Sequence, residues 1–156
     1  MPRTQRSPKL LLALAAAAAL IGSATVAAAQ GWVVATITPD QSGTIYLAVE
    51  NETSSPLALT VLTMSGATWG EGGGPSPGSE VGAGSTATFP MQVTGGDTSG
   101  LFGRVEATGG EAGVILLWDA TGSSEVGMAA EGSSPAITLS QRIDNGNTMV
   151  FHLSGR

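Results

Sequence analysis

The 156-residue sequence has no cysteine, one histidine and, among its six basic residues, a single lysine at position 9. Without cysteine there is no disulfide framework and no thiolate metal site, so packing alone must hold the fold. One histidine cannot build an ordinary zinc site, and it leaves a hydrolase only one imidazole to work with. Charged residues make up 12% of the chain and aromatics 4%, and helical spacing of apolar residues is nowhere sustained. A helical bundle is therefore not expected.

What is present begins with a leader. Arg3, Arg6 and Lys9 precede the apolar run Leu10 to Ile21, and the small residues Ala27, Ala28 and Ala29 follow it. A basic end, a short apolar segment and a small-residue site in that order predict a secretory signal peptide over residues 1–29, cleaved after Ala29, and a secreted product. Gly22, Ser23 and Thr25 dilute the second half of the run, which argues against a membrane anchor. Residues 30–156 then form one domain, long enough to bury a core.

Cleavage would remove three basic residues and leave Arg104, Arg142 and Arg156 against all 12 acidic residues, a net charge of −9. Binding to phosphate backbones or anionic bilayers depends on Lys and Arg displacing counterions, so nucleic acid is excluded as an expected partner.

Apolar residues recur at every second position in short stretches separated by Gly, Ser, Asn and Pro, the period of a sheet with one buried face. Strands are predicted over 32–37, 44–50, 57–64, 86–93, 100–107, 113–118, 136–141 and 149–153. Ile45, Leu47 and Val49 face one way and Tyr46 and Ala48 the other; Met149, Phe151 and Leu153 repeat the pattern. Val114 to Trp118 is apolar throughout, as in a strand covered on both faces. Asp144-Asn145-Gly146-Asn147 predicts a two-residue hairpin, because Asn-Gly accepts the positive φ angles of such a turn. Residues 71–78, rich in Gly and Pro, and 121–134 are expected to be loops. About eight short strands predict an all-β fold, a single-domain antiparallel β-sandwich, with a barrel as the alternative closure.

Catalytic chemistry finds little support. His152 lies in a strand pattern with no Gly-x-Ser-x-Gly elbow anywhere, and its expected place is the face opposite the core. The carboxylate pairs Glu50/Glu52 and Asp119/Glu125 have no spacing that favours a glycosidase. Asp144 to Asn147 and Gly95 to Gly100 cluster oxygens but lack the twelve-residue calcium loop, so turn chemistry explains them. No catalytic residue, metal or cofactor is expected. Asn51-Glu52-Thr53 is a glycosylation triplet.

Three of the seven aromatic residues are tryptophans, Trp32, Trp69 and Trp118, each at or beside the end of an expected strand. An apolar ring with one N–H donor suits a bilayer–water boundary or a sugar face, or it plugs the end of a core.

In order, the chain carries Val49-Glu50-Asn51-Glu52-Thr53 before Leu57-Ala58-Leu59, then Gly66-Ala67-Thr68-Trp69-Gly70 and Val81-Gly82-Ala83-Gly84-Ser85. Gly100-Leu101-Phe102-Gly103-Arg104-Val105 and Ile115-Leu116-Leu117-Trp118-Asp119 follow. This succession, covering most of 44–119, resembles the aegerolysin family. The resemblance implies a small acidic β-sandwich that recognises membrane lipids, sphingolipids among them, without enzymatic chemistry. It also implies, for some members, a separate pore-forming protein partner. On that resemblance Trp69, Trp118 and Asp119, with Trp32, flank a lipid head-group site. The family's Trp-Asp pair is usually followed by a Pro-containing turn, whereas here Ala120-Thr121-Gly122-Ser123 follows. Two other readings of the same residues stand beside it: a secreted carbohydrate-binding or adhesion module stacking sugars on its tryptophans, and a protein-binding sheet edge.

Overall fold

A computed structural model describes residues 31–76, 79–110, 112–132 and 137–155. The expected leader, residues 1–29, lies outside the described residues. Eleven strands form among them: β1 Val33–Thr36, β2 Thr44–Glu52, β3 Leu57–Ser65, β4 Ala67–Trp69, β5 Ser79–Val81 and β6 Ser85–Val93. After two short 3-10 turns, Thr94–Gly96 and Thr98–Gly100, come β7 Phe102–Gly109, β8 Ala112–Ala120, β9 Glu125–Gly132, β10 Ile137–Asp144 and β11 Thr148–Gly155. A six-stranded sheet in the order β1-β9-β8-β7-β3-β5 packs on a five-stranded sheet in the order β10-β11-β2-β6-β4. This is the β-sandwich the periodicity predicts.

Two details differ from expectation. The sheets are not wholly antiparallel, because β11 runs parallel to β2, with Phe151 beside Val49 and His152 beside Glu50. Eleven strands replace about eight. All eight expected strands are present with ends shifted by up to three residues, and β4, β5 and β9 are additional. β9 occupies most of 121–134, the segment expected to be a loop. Its Val126, Met128, Ala129 and Ala130 are buried between β1 and β8. Ala and Gly have low strand propensity, so burial on both sides, not local preference, makes this segment a strand.

The period-2 alternation fills the space between the sheets. Ile45, Leu47, Val49, Met149, Phe151 and Leu153 from one sheet meet Leu57, Leu59, Val105, Leu116 and Met128 from the other, all fully buried. β8 alternates too: Val114, Leu116 and Trp118 are buried, while Ile115 and Leu117 are half-exposed on the outer face instead of being covered by a second layer.

The connections obey backbone chemistry. Asn145 and Gly146 both have positive φ, 56° and 75°, which makes the β10–β11 link the expected two-residue hairpin. At Gly66 the chain passes from β3 in one sheet to β4 in the other. Its φ is +80°, and a Cβ there would meet the Gly100 carbonyl oxygen at 2.3 Å. Only glycine permits both that conformation and that approach.

Candidate functional site

The four residues singled out as a lipid-contacting set do not share one patch. Trp118 is fully buried in the core. Its place is set by Gly103, opposite it on β7, whose missing side chain makes the room: a Cβ there would lie 2.0 Å from the indole Cζ2. Trp118 therefore offers no surface to a ligand, and its assignment to a head-group site is corrected to a core role. Its Nε1 is buried without a hydrogen-bond partner.

Trp69 ends β4 at the edge of the five-stranded sheet and is half-buried against the core. Phe89 meets its ring edge-on at 6.3 Å and 68°. The glycine-rich segment after it turns back, with Gly70 N–H donating to the Pro90 carbonyl and Gly73 N–H to the Gly70 carbonyl. That brings Gly74 against the indole, where a Cβ would lie 2.1 Å from Cδ2. The loop expected at 71–78 is real over its described part, and it acts as a cover for Trp69.

Trp32 and Asp119 do come together. Val126 and Met128 face the core, so Gly127 between them faces outward from the six-stranded sheet. A Cβ on Gly127 would meet Trp32 Cε3 at 3.1 Å, so the indole lies on that outer face over β9. Gly127 is opposite Asp119 on β8 and opposite Val34 on β1. Val34 is 54% exposed, and Trp32 and Asp119 are half-buried. An indole, an exposed valine and a carboxylate thus stand side by side on one open face.

Further along the same face the alternation of β7 and β8 sets out Arg104, Glu106, Ile115 and Leu117, none of which the sequence alone assigns to a site. The signal was available: Val105 and Ala107 point inward, so their neighbours point out. The other large apolar side chain that is exposed among the described residues, Leu62 at 45%, is next to Arg104 where the β3–β7 register shifts between Val61 and Thr63.

The outer face of the five-stranded sheet is polar. His152 lies there, as its strand position predicts, with Nδ1 2.9 Å from Glu50 Oε1. Arg142 forks onto Glu50 at 3.1 and 2.8 Å and onto Asp144 at 2.9 and 3.0 Å. The Arg142 hydrogen bonds, opposed by partial burial, hold the Glu50 carboxyl below the usual carboxylate range. The folded chain then binds that proton less readily than the unfolded chain. The stabilisation is complete above Glu50's ordinary range and is lost as pH falls through its lowered folded value. With Arg142 47% exposed, the contribution is a few tenths to about 1 kcal/mol. Glu50→Gln accordingly lowers the melting temperature slightly at pH 7, and the difference from wild type closes as pH falls below the ordinary carboxylate range and through Glu50's lowered folded value. Parallel melting-temperature profiles across that range would contradict this.

The glycosylation triplet is closed by the fold. Asn51 is fully buried, with Nδ2 donating to the carbonyls of Ser55, Val81 and Gly82.

These features define a small two-sheet β-sandwich. No family model and no curated protein sequence matches the chain. Among solved structures it is similar to the crystal structure of RahU protein in complex with a TRIS molecule; RahU is an aegerolysin-family protein. The TM-score is 0.52 at 14% identity, over 72% of this chain and 96% of that one. At that identity the likeness is one of fold.

Proposed function

We propose that this chain is a secreted, non-enzymatic lipid-binding protein of aegerolysin type, recognising zwitterionic, sphingolipid-type head groups at a membrane surface. The observation that carries the reading is the Trp32 indole lying on Gly127 beside Val34 and Asp119 on one open sheet face. The fold likeness to RahU supports the class, and the low content of Lys and Arg supports a preference for lipids without net negative charge. An indole and a valine entering the head-group layer each contribute about 1.5–3 kcal/mol from buried apolar area. Asp119 faces the amine or quaternary ammonium end. Trp69 takes part only as far as its glycine cover allows.

Sedimentation with vesicles of sphingomyelin, phosphatidylcholine or phosphatidylglycerol tests the reading, with a glycan array beside it. Wild type binds the first two and not the third, and Trp32→Ala weakens binding at least tenfold. Inert vesicles with a positive glycan array would replace it with the carbohydrate-binding reading. On the same proposal the bound chain serves a separate pore-forming protein, so alone it leaves dye-loaded vesicles intact. Mass spectrometry of the culture medium, finding a chain that starts at Gln30, checks export.

A further inference from the structure

Two arginines lie among the described residues, and the fold treats them differently. Arg142 is saturated by two carboxylates. Arg104 sits in the middle of β7 on the outer face of the six-stranded sheet, and its Nε is buried with no hydrogen-bond partner. A buried donor left unpaired costs free energy, and because Arg104 as a whole is only half-buried, part of its side chain stays open to an acceptor arriving from outside.

The surroundings of Arg104 narrow the acceptor. Leu117 is opposite it on β8 and Thr63 opposite it on β3, with the exposed Leu62 beside Thr63. Two residues on, Glu106 lies opposite Ile115, which lies opposite Glu131 on β9. Burial pushes the Glu131 carboxyl up while the Arg104 charge pulls it down, so the two sense each other across this apolar ground. One cation in the row beside two carboxylates, on a surface of leucine and isoleucine, matches an amphiphile that carries an anion and a cation a few bonds apart. A purely anionic head group would meet Glu106, Glu131 and the net negative charge of the chain.

We propose that Arg104 binds the phosphodiester of a zwitterionic phospholipid, with Glu106 and Glu131 facing its cationic end and Leu62 and Leu117 its apolar flank. This rests on the membrane reading above and adds a second contact on the same face as Trp32 and Asp119. The guanidinium fork suits a phosphate's paired oxygens, which an ammonium does not match.

The test uses the full chain and two kinds of vesicle, phosphatidylcholine and the phosphate-free digalactosyldiacylglycerol. Wild type binds phosphatidylcholine at least tenfold more tightly. Arg104→Gln abolishes that ratio while the melting temperature stays level, since a polar atom still occupies the buried Nε position. Arg104→Lys folds and keeps an intermediate ratio. Free phosphocholine at the same concentration as the vesicle lipid does not displace the chain. A wild type that shows no preference, or an Arg104→Gln chain that keeps it, overturns the proposal while leaving lipid binding through Trp32 intact. A wild type that binds neither vesicle overturns both readings. Displacement by free phosphocholine at that concentration overturns the lipid as the source.

Discussion

Trp118→Ala lowers the unfolding free energy by about 4 kcal/mol, the cost of emptying a site built around a fully buried indole. The site cannot close over the gap, because Gly103 opposite has no side chain to move in and the backbones on both sides are held by the β7–β8 ladder. Trp118→Phe behaves differently. It loses part of the ring's contact area, but it also removes an Nε1 donor that has no partner, whose burial carries a penalty of about 1–3 kcal/mol. The net cost stays within about 1.5 kcal/mol, near that of a volume-conserving core exchange. Urea unfolding followed by far-ultraviolet circular dichroism measures both. Vesicle binding then separates a core role from a contact role: folded Trp118→Phe binds as wild type does. A loss of binding in that variant would place the indole at the lipid and overturn the interior assignment.

The fold was legible in the sequence wherever a strand has one covered face and at least four residues. Ile45-Tyr46-Leu47-Ala48-Val49 shows its alternation plainly, and Asn145-Gly146 announces its turn. β9 was not legible, because the run from Val126 to Ala130 is buried throughout and contains small residues where others pack close, Trp32 on Gly127 among them. β4 and β5 have three residues each, too few for a period to show. The parallel β2–β11 pairing joins segments about a hundred residues apart, and no local pattern encodes it. The site was less legible for a related reason. The glycines and the tryptophan that carry the family resemblance prove to be packing partners of one another: Gly66 approaches Gly100, and Gly103 accommodates Trp118. Such residues report a fold, and the residues facing outward between them were free to differ. Hence the motif around Trp118 reports a packed core, whereas nothing in the motifs distinguishes Val34, Leu62 or Arg104 as outward-facing.

Asn51→Ala is expected to cost about 3 kcal/mol, more than a surface position in a strand would suggest, because Asn51 ties β2 to the short edge strand β5. Its amide donates to Ser55 O at 2.8 Å, Val81 O at 2.9 Å and Gly82 O at 3.2 Å, while its Oδ1 accepts from Thr53 N and Oγ1 at 2.9 and 2.6 Å. β5 has three residues and, among the described residues, pairs only with β3. Removing the amide leaves buried carbonyls without a donor and loosens the segment, so amide hydrogen exchange at residues 79–82 accelerates before the rest of the sheet is affected. Asn51→Asp is worse at pH 7, since a carboxylate can still accept from Thr53 but turns a negative oxygen toward three carbonyls. Its stability should recover as pH falls: the buried carboxyl has a raised folded value, so the protonated, donating form stabilises the fold, and that contribution is lost as pH rises through the raised value. An Asn51→Asp chain as stable as wild type at neutral pH would show that the amide is not the pin between β2 and β5.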